Sequence, residues 1–131
     1  MIGMADTVPS TYPAADLPEG FVYPQAFLAF RGTVGQSDLL PWFFFNPKGE
    51  TGEILMRICR DLPGAPVPFV SLELSDGDAA CFDGTDHSGH PRVLYFTAED
   101  PGTQPRWASF DDWLAEARGD AAHARGEAAA G

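Results

Sequence analysis

The run from residue 74 to residue 90, LSDGDAACFDGTDHSGH, holds Asp76, Asp78, Asp83 and Asp86 together with Cys81, His87 and His90, and contains no lysine or arginine. Such side chains could bind a divalent metal or move protons, because carboxylate oxygen, imidazole nitrogen and thiolate sulfur are the usual protein ligands of calcium and zinc. Spacing argues against calcium. An EF-hand loop needs oxygen ligands at its first, third and fifth positions, glycine at the sixth and glutamate at the twelfth. Counted from Asp76, those last three positions are Ala80, Cys81 and His87. For zinc, His87 and His90 with Asp83, Asp86 or Cys81 are chemically permissible, so a metal-dependent hydrolase built on this loop stands as a lesser alternative. Turn formation explains the same residues with fewer assumptions, since Asp and Gly tolerate the backbone angles of tight turns. The expectation is therefore no metal and no cofactor.

Templates for covalent catalysis fail as well. No serine occupies a Gly-x-Ser-x-Gly elbow, and Cys81 sits in a strand-like segment with His87 beyond a turn. The glycines of GETGE, residues 49–53, lack the Lys-Ser/Thr pair that holds phosphate and metal. No catalytic residue is assigned.

The elements that must carry these residues follow from period and punctuation. In DLPEGFVYPQAFLAFRG, either Pro18 or Pro24 suits a helix's first turn, Phe27, Leu28 and Phe30 form an apolar patch, and Gly32 supplies a stop. The aromatic run of DLLPWFFFNPKGETG predicts a short buried strand, while EILMRICRDLPG fits helix or strand, with helix or irregular structure favoured. In VPFVSLELS, Val70, Leu72 and Leu74 alternate with Ser71 and Glu73, which predicts a strand with one wet face. Asp76-Gly77 then predicts a type I′ hairpin turn, AACFD the returning strand, GTDHSGHP a polar connection and RVLYFTA the next strand. The last element is a helix in SFDDWLAEARG. Ser109 is its N-cap, Asp112 the capping-box acid, Phe110, Trp113, Leu114 and Ala117 its apolar stripe, and Gly119 its stop.

A chain of 131 residues, 44% apolar with ten Phe, three Trp and three Tyr, fits one domain that buries roughly two-thirds of its unfolded surface. Composition divides it into a mobile N-terminal segment at residues 1–15, a domain at 16–119 and a mobile tail at 120–131. The apolar stretches are short and broken by proline, and no secretory leader is evident, so the expected location is the cytoplasm, with no membrane contact. There Cys59 and Cys81 are expected to be reduced and buried. The charge is lopsided, 19 Asp plus Glu against 8 Lys plus Arg, for a net charge of −11. Nucleic-acid binding draws its non-specific affinity from Lys and Arg on phosphate, so that class is excluded.

Taken in order, LPEGFVYPQAFLAFRG, VPFVSLELSDGDAACFD, RVLYF and SFDDWLAEA make the chain, over residues 17 to 117, resemble the SUKH superfamily. That superfamily includes fungal cell-wall assembly regulators of the Smi/Knr type and bacterial immunity proteins that neutralise polymorphic toxins. Two features depart from the family pattern: Arg31-Gly32 stands where Asn-Gly is usual, and the helix expected before Leu17 is reduced to STYPAA. The resemblance implies an α+β fold, a twisted and mainly antiparallel sheet with helices packed on it, and protein binding without catalysis. The shared positions, Leu17, Pro18, Phe27, Leu28, Phe69, Asp76, Gly77, Asp83, Phe110, Trp113 and Leu114, are structural.

These lines converge on an immunity-type module whose acidic face, Glu73, Asp76, Asp78, Asp83 and Asp86, meets a basic toxin domain such as a nuclease. A Smi/Knr-type regulatory scaffold that binds an endogenous cytoplasmic protein is the alternative from a different class.

Overall fold

The computed structural model describes residues 11–73, 77–124 and 126. Its elements are α1 (Gln25–Phe30), β1 (Trp42–Phe43), α2 (Glu50–Arg60), β2 (Val67–Leu72), β3 (Ala79–Phe82), β4 (Val93–Thr97), β5 (Gly102–Trp107) and α3 (Phe110–Ala124), preceded by a 3-10 turn at Ala14–Asp16. The five strands form one antiparallel sheet in the order β1-β2-β3-β4-β5, so the chain folds as an α+β meander with helices packed on it.

Register assigns the faces. Phe82 lies opposite Val67 and Val93, and Ala80 opposite Val70 and Tyr95; the alternate face carries Cys81 with Pro68 and Leu94, and Ala79 with Ser71 and Phe96. Phe69 shares the face of Val67 and stacks on Phe82, with centroids 4.3 Å apart, and a register shift between Pro68 and Val70 turns Val70 onto the same face. Helices α1 and α3 cover this aromatic face. Phe27 meets Phe82 at 5.4 Å and Phe110 at 5.5 Å, and Trp113 meets Phe69 at 5.0 Å. Helix α2 covers the other face, where its Cys59 thiol reaches Cys81. β2 and β3 are consequently buried on both sides, and the wet face predicted for β2 does not exist: Ser71 is only 8% exposed.

Several other expectations shift. Helix α1 starts after Pro24 and not Pro18. Of the aromatic run, only Trp42 and Phe43 pair as a strand, while Phe44 and Phe45 enter the core from irregular backbone. The ambiguous EILMRICR segment is helical; Leu55, Met56 and Cys59 recur on its buried side. The turn expected at Asp76-Gly77 falls on Asp76, outside the described residues; beside it the Leu72 N–H donates to Asp78 O at 2.9 Å and the Glu73 N–H to Pro41 O at 2.7 Å.

The domain also exceeds its predicted limits at both ends. Tyr12, assigned to a mobile segment, is 5% exposed, donates its hydroxyl to Gly52 O at 2.6 Å and its N–H to the Tyr23 hydroxyl at 3.0 Å. Ser109 caps α3 as expected, with Oγ 3.2 Å from the Asp112 N–H, yet the helix runs through Gly119 to Ala124. Glycine inside a helix costs about 1 kcal/mol relative to alanine, but buried Ala121 and an Asp120 carboxylate bound to the Trp42 indole N–H at 3.0 Å carry α3 onward. Strand β5 had no predicted counterpart, because Pro105 and Gly102 mask its pattern.

Two substitutions check this packing. Phe82→Ala removes the ring shared by β2, α1 and α3 and is expected to cost about 3–5 kcal/mol in urea unfolding. Gly52→Ala ought to favour α2 by about 1 kcal/mol on propensity alone. The added Cβ would instead collide with the backbone of Asn46 and Pro47, so a loss of about 1–3 kcal/mol is expected.

Candidate functional site

The Asp/His-rich run proves to be built of turns. The Asp83 Oδ1 accepts the Thr85 amide at 2.9 Å and the Thr85 hydroxyl at 2.7 Å, and its Oδ2 accepts Arg92 Nε at 2.8 Å. Burial pushes this carboxyl upward, but the two Thr85 hydrogen bonds and the Arg92 guanidinium outweigh it and hold Asp83 below the usual carboxylate range. Beside it the Gly84 N–H donates to Gly64 O at 3.0 Å, and a Cβ on Gly84 would run into the Ala65 carbonyl. Asp86 accepts the Ser88 hydroxyl at 2.6 Å and amide at 3.0 Å, and those bonds lower its carboxyl too. The His87 ring lies over Gly20, whose φ of 85° is one that residues with a side chain rarely adopt. Among the described residues, no group of three or more His, Cys, Asp and Glu is placed to hold a metal ion.

Cys59 and Cys81 are reduced and fully buried. Burial, then the hydrogen bond and charge of Cys59, push the Cys81 thiol well up, which keeps it protonated and poorly nucleophilic.

Of the five acids predicted to share a face, the four described ones divide into two groups. Asp78 and Asp83 flank opposite ends of β3, about 16 Å apart at strand rise. Asp83 is 5% exposed and committed to its own turn. Asp86 is near it in sequence and is likewise occupied by a turn. Glu73 and Asp78 lie at the other end, and Asp76 is outside the described residues. Asp78 accepts the Tyr95 hydroxyl at 2.7 Å and the Ala98 amide at 3.0 Å. Burial, then that bond to Asp78 and its charge, push the Tyr95 hydroxyl up to about 12, so it remains a donor.

Tyr95 also forms one wall of a groove of about 360 Å³ between the sheet and the C-terminal half of α3. Pro41, Trp42 and Leu72 form its apolar wall, while α3 contributes Glu116, Asp120 and His123. Arg106 spans it. The guanidinium carbon lies 5.2 Å from the Tyr95 ring centroid and 4.9 Å from that of Trp107, with a nitrogen 3.0 Å from the Glu116 carboxylate. Two indole N–H groups donate to the acids of α3, Trp107 to Glu116 at 3.2 Å and Trp42 to Asp120 at 3.0 Å. Glu116 and Asp120 went unnoticed in the sequence. Their i, i+4 spacing would have disclosed a shared face had α3 not been ended at Gly119.

Other hollows are less distinctive, among them one of about 370 Å³ at Gly32, Val34 and Asp38 and two more. One, of about 350 Å³ beside Tyr12, sets Lys48, Arg57 and Arg60 against Asp16 and Glu53; the other, an apolar cleft of about 210 Å³, lies between α2 and the sheet at Ile54, Ile58 and Phe96.

No family model, curated protein or solved structure matches the chain. Among the described residues, no helix is long and apolar enough to cross a membrane.

The Asp83 network makes a pH-dependent prediction. A carboxyl held lower in the folded state than its unfolded value, about 3.9, contributes stability that is complete above that pH and lost as pH falls through the folded value. Asp83→Asn is expected to cost about 1–3 kcal/mol near neutrality in urea unfolding. The gap from the parent protein should close below about pH 4, and a gap that persists unchanged there would remove Asp83 ionisation as its cause.

Proposed function

We propose that this chain is a non-enzymatic, acidic protein-binding module of the immunity type, acting in the cytoplasm by binding and neutralising a basic toxin domain. The observation that carries the reading is the groove under α3. Its acids, Glu116 and Asp120, stand beside Pro41 and Leu72 on a chain with a net charge of −11. Carboxylates beside exposed apolar surface suit a basic protein better than a small neutral substrate. The resemblance to SUKH immunity proteins points the same way, and so does the commitment of the chemically capable side chains: Asp83 and Asp86 to turns, Cys81 to the core.

The test is co-expression with a basic toxin domain encoded beside the gene, followed by co-purification and association kinetics. Expected is a stable complex whose on-rate falls by roughly tenfold or more as salt is raised, because complementary charge accelerates encounter and ions screen it. Stable association that is indifferent to salt, or no complex with any adjacent basic gene product, would overturn the reading.

A further inference from the structure

The hollow beside Tyr12 gathers cations that an acidic chain would be expected to pair. With 19 Asp plus Glu against 8 Lys plus Arg, every basic side chain has carboxylates to choose from, and Arg92 and Arg106 take theirs from Asp83 and Glu116. Lys48, Arg57 and Arg60 do not. All three are exposed and line the hollow, and among the described residues none of their side chains forms an ion pair or a hydrogen bond. Glu53 stands four residues before Arg57 on α2, the spacing and order that favour pairing along a helix, and still remains apart from it. Local structure explains the gathering. Glu53, Met56, Arg57 and Arg60 recur on one flank of α2, and the Tyr12 hydroxyl, anchored on Gly52 O at 2.6 Å, holds Pro13 and Asp16 alongside as the opposite wall. Tyr12 and Met56, each 5% exposed, form the apolar floor.

We propose that this hollow binds a phosphate ester of a small polyhydroxylated molecule, of the sugar monophosphate class, with the phosphate on Arg57, Arg60 and Lys48 and hydroxyl groups donating to Asp16 and Glu53. Two planar guanidiniums one turn apart on the same helix flank can reach a single phosphate, and their paired N–H groups match its oxygens. The two carboxylates decide the rest of the ligand. A bare anion would answer the cations and be opposed by Asp16 and Glu53, whereas hydroxyl donors turn those acids into acceptors and satisfy all five charged groups. A volume of about 350 Å³ is near the lower limit of roughly 300–1,000 Å³ for ligand pockets, which leaves room for one sugar-sized body and excludes a dinucleotide. The hollow lies on the α2 side of the sheet and the groove on the α3 side, so the inference does not rest on the function proposed above.

The guanidinium groups supply the readout. In a proton–nitrogen spectrum of the full chain, titration with glucose 6-phosphate is expected to move the Arg57 and Arg60 Nε signals saturably and to leave the Trp42 indole signal, on the other side of the sheet, where it is. Glucose alone should move neither. Inorganic phosphate should bind at least about tenfold more weakly than the ester, because it brings no hydroxyl groups to Asp16 and Glu53. In calorimetry, Arg57→Gln combined with Arg60→Gln should abolish binding of the ester, and Glu53→Ala should narrow its advantage over inorganic phosphate. Should the double variant fail to fold, the response of the parent protein to glucose 6-phosphate against sodium chloride at equal ionic strength decides. Absence of a saturable shift, a shift that sodium chloride reproduces, or binding that survives the double substitution overturns the proposal. Equal affinity for inorganic phosphate and glucose 6-phosphate overturns the assignment to an ester.

Discussion

The Phe82 ring is the contact on which the rest of the architecture depends. It is fully buried near the end of β3, stacks on Phe69 of the neighbouring strand, and is approached by Phe27 from α1 and Phe110 from α3. Alternation from Val67 puts Phe69 on the face of Phe82. The irregularity between Pro68 and Val70 makes Phe69 an extra residue and turns Val70 onto that face as well, so two strands and two helices share an aromatic nucleus. Edge-to-face and offset contacts of this kind add about 0.5–1.5 kcal/mol each beyond the burial of the rings.

The groove follows from that nucleus. Trp113 is set by Phe69 and Phe110, and Trp42 lies against Trp113 at 5.6 Å, so the direction in which α3 leaves the core is fixed by rings at its first turn. Beyond Ala117, the residues Asp120, His123 and Ala124 lie beside Trp42, Tyr95 and Arg106. There the helix and sheet diverge enough to leave a hollow, with Glu116 and Asp120 on the helical side. The turns at the far end of β3 have a different purpose. They lock Gly84 against Gly64 and Asp83 against Arg92, closing the sheet where carboxylates would otherwise face one another unpaired.

Elements with a strong period were legible in the sequence. The alternation in RVLYF, the Ser109 cap with its Phe110 and Trp113 stripe, and the return of the chain through AACF all occur where the pattern puts them. The failures share a cause: local punctuation was outweighed by packing that only tertiary structure supplies. Gly119 reads as a stop but is passed because Asp120 and Ala121 find partners. The acids of residues 73–86 look contiguous in one dimension because a strand of four residues between them is short in sequence and long in space. The groove acids, by contrast, come from an element thought to have ended, and their aromatic neighbours from strands far away in the chain.

The two thiols give the chain an internal clock. Cys59 sits on α2 and Cys81 on the strand beneath it, and neither exposes any surface while the two remain in contact. An alkylating reagent can reach them only in molecules where the helix has lifted from the sheet. The rate at which native protein loses its thiols, divided by the rate for a freely accessible cysteine, is therefore the fraction of time that layer spends open. The same ratio reports on the opening of that layer with no dye or label added to the chain.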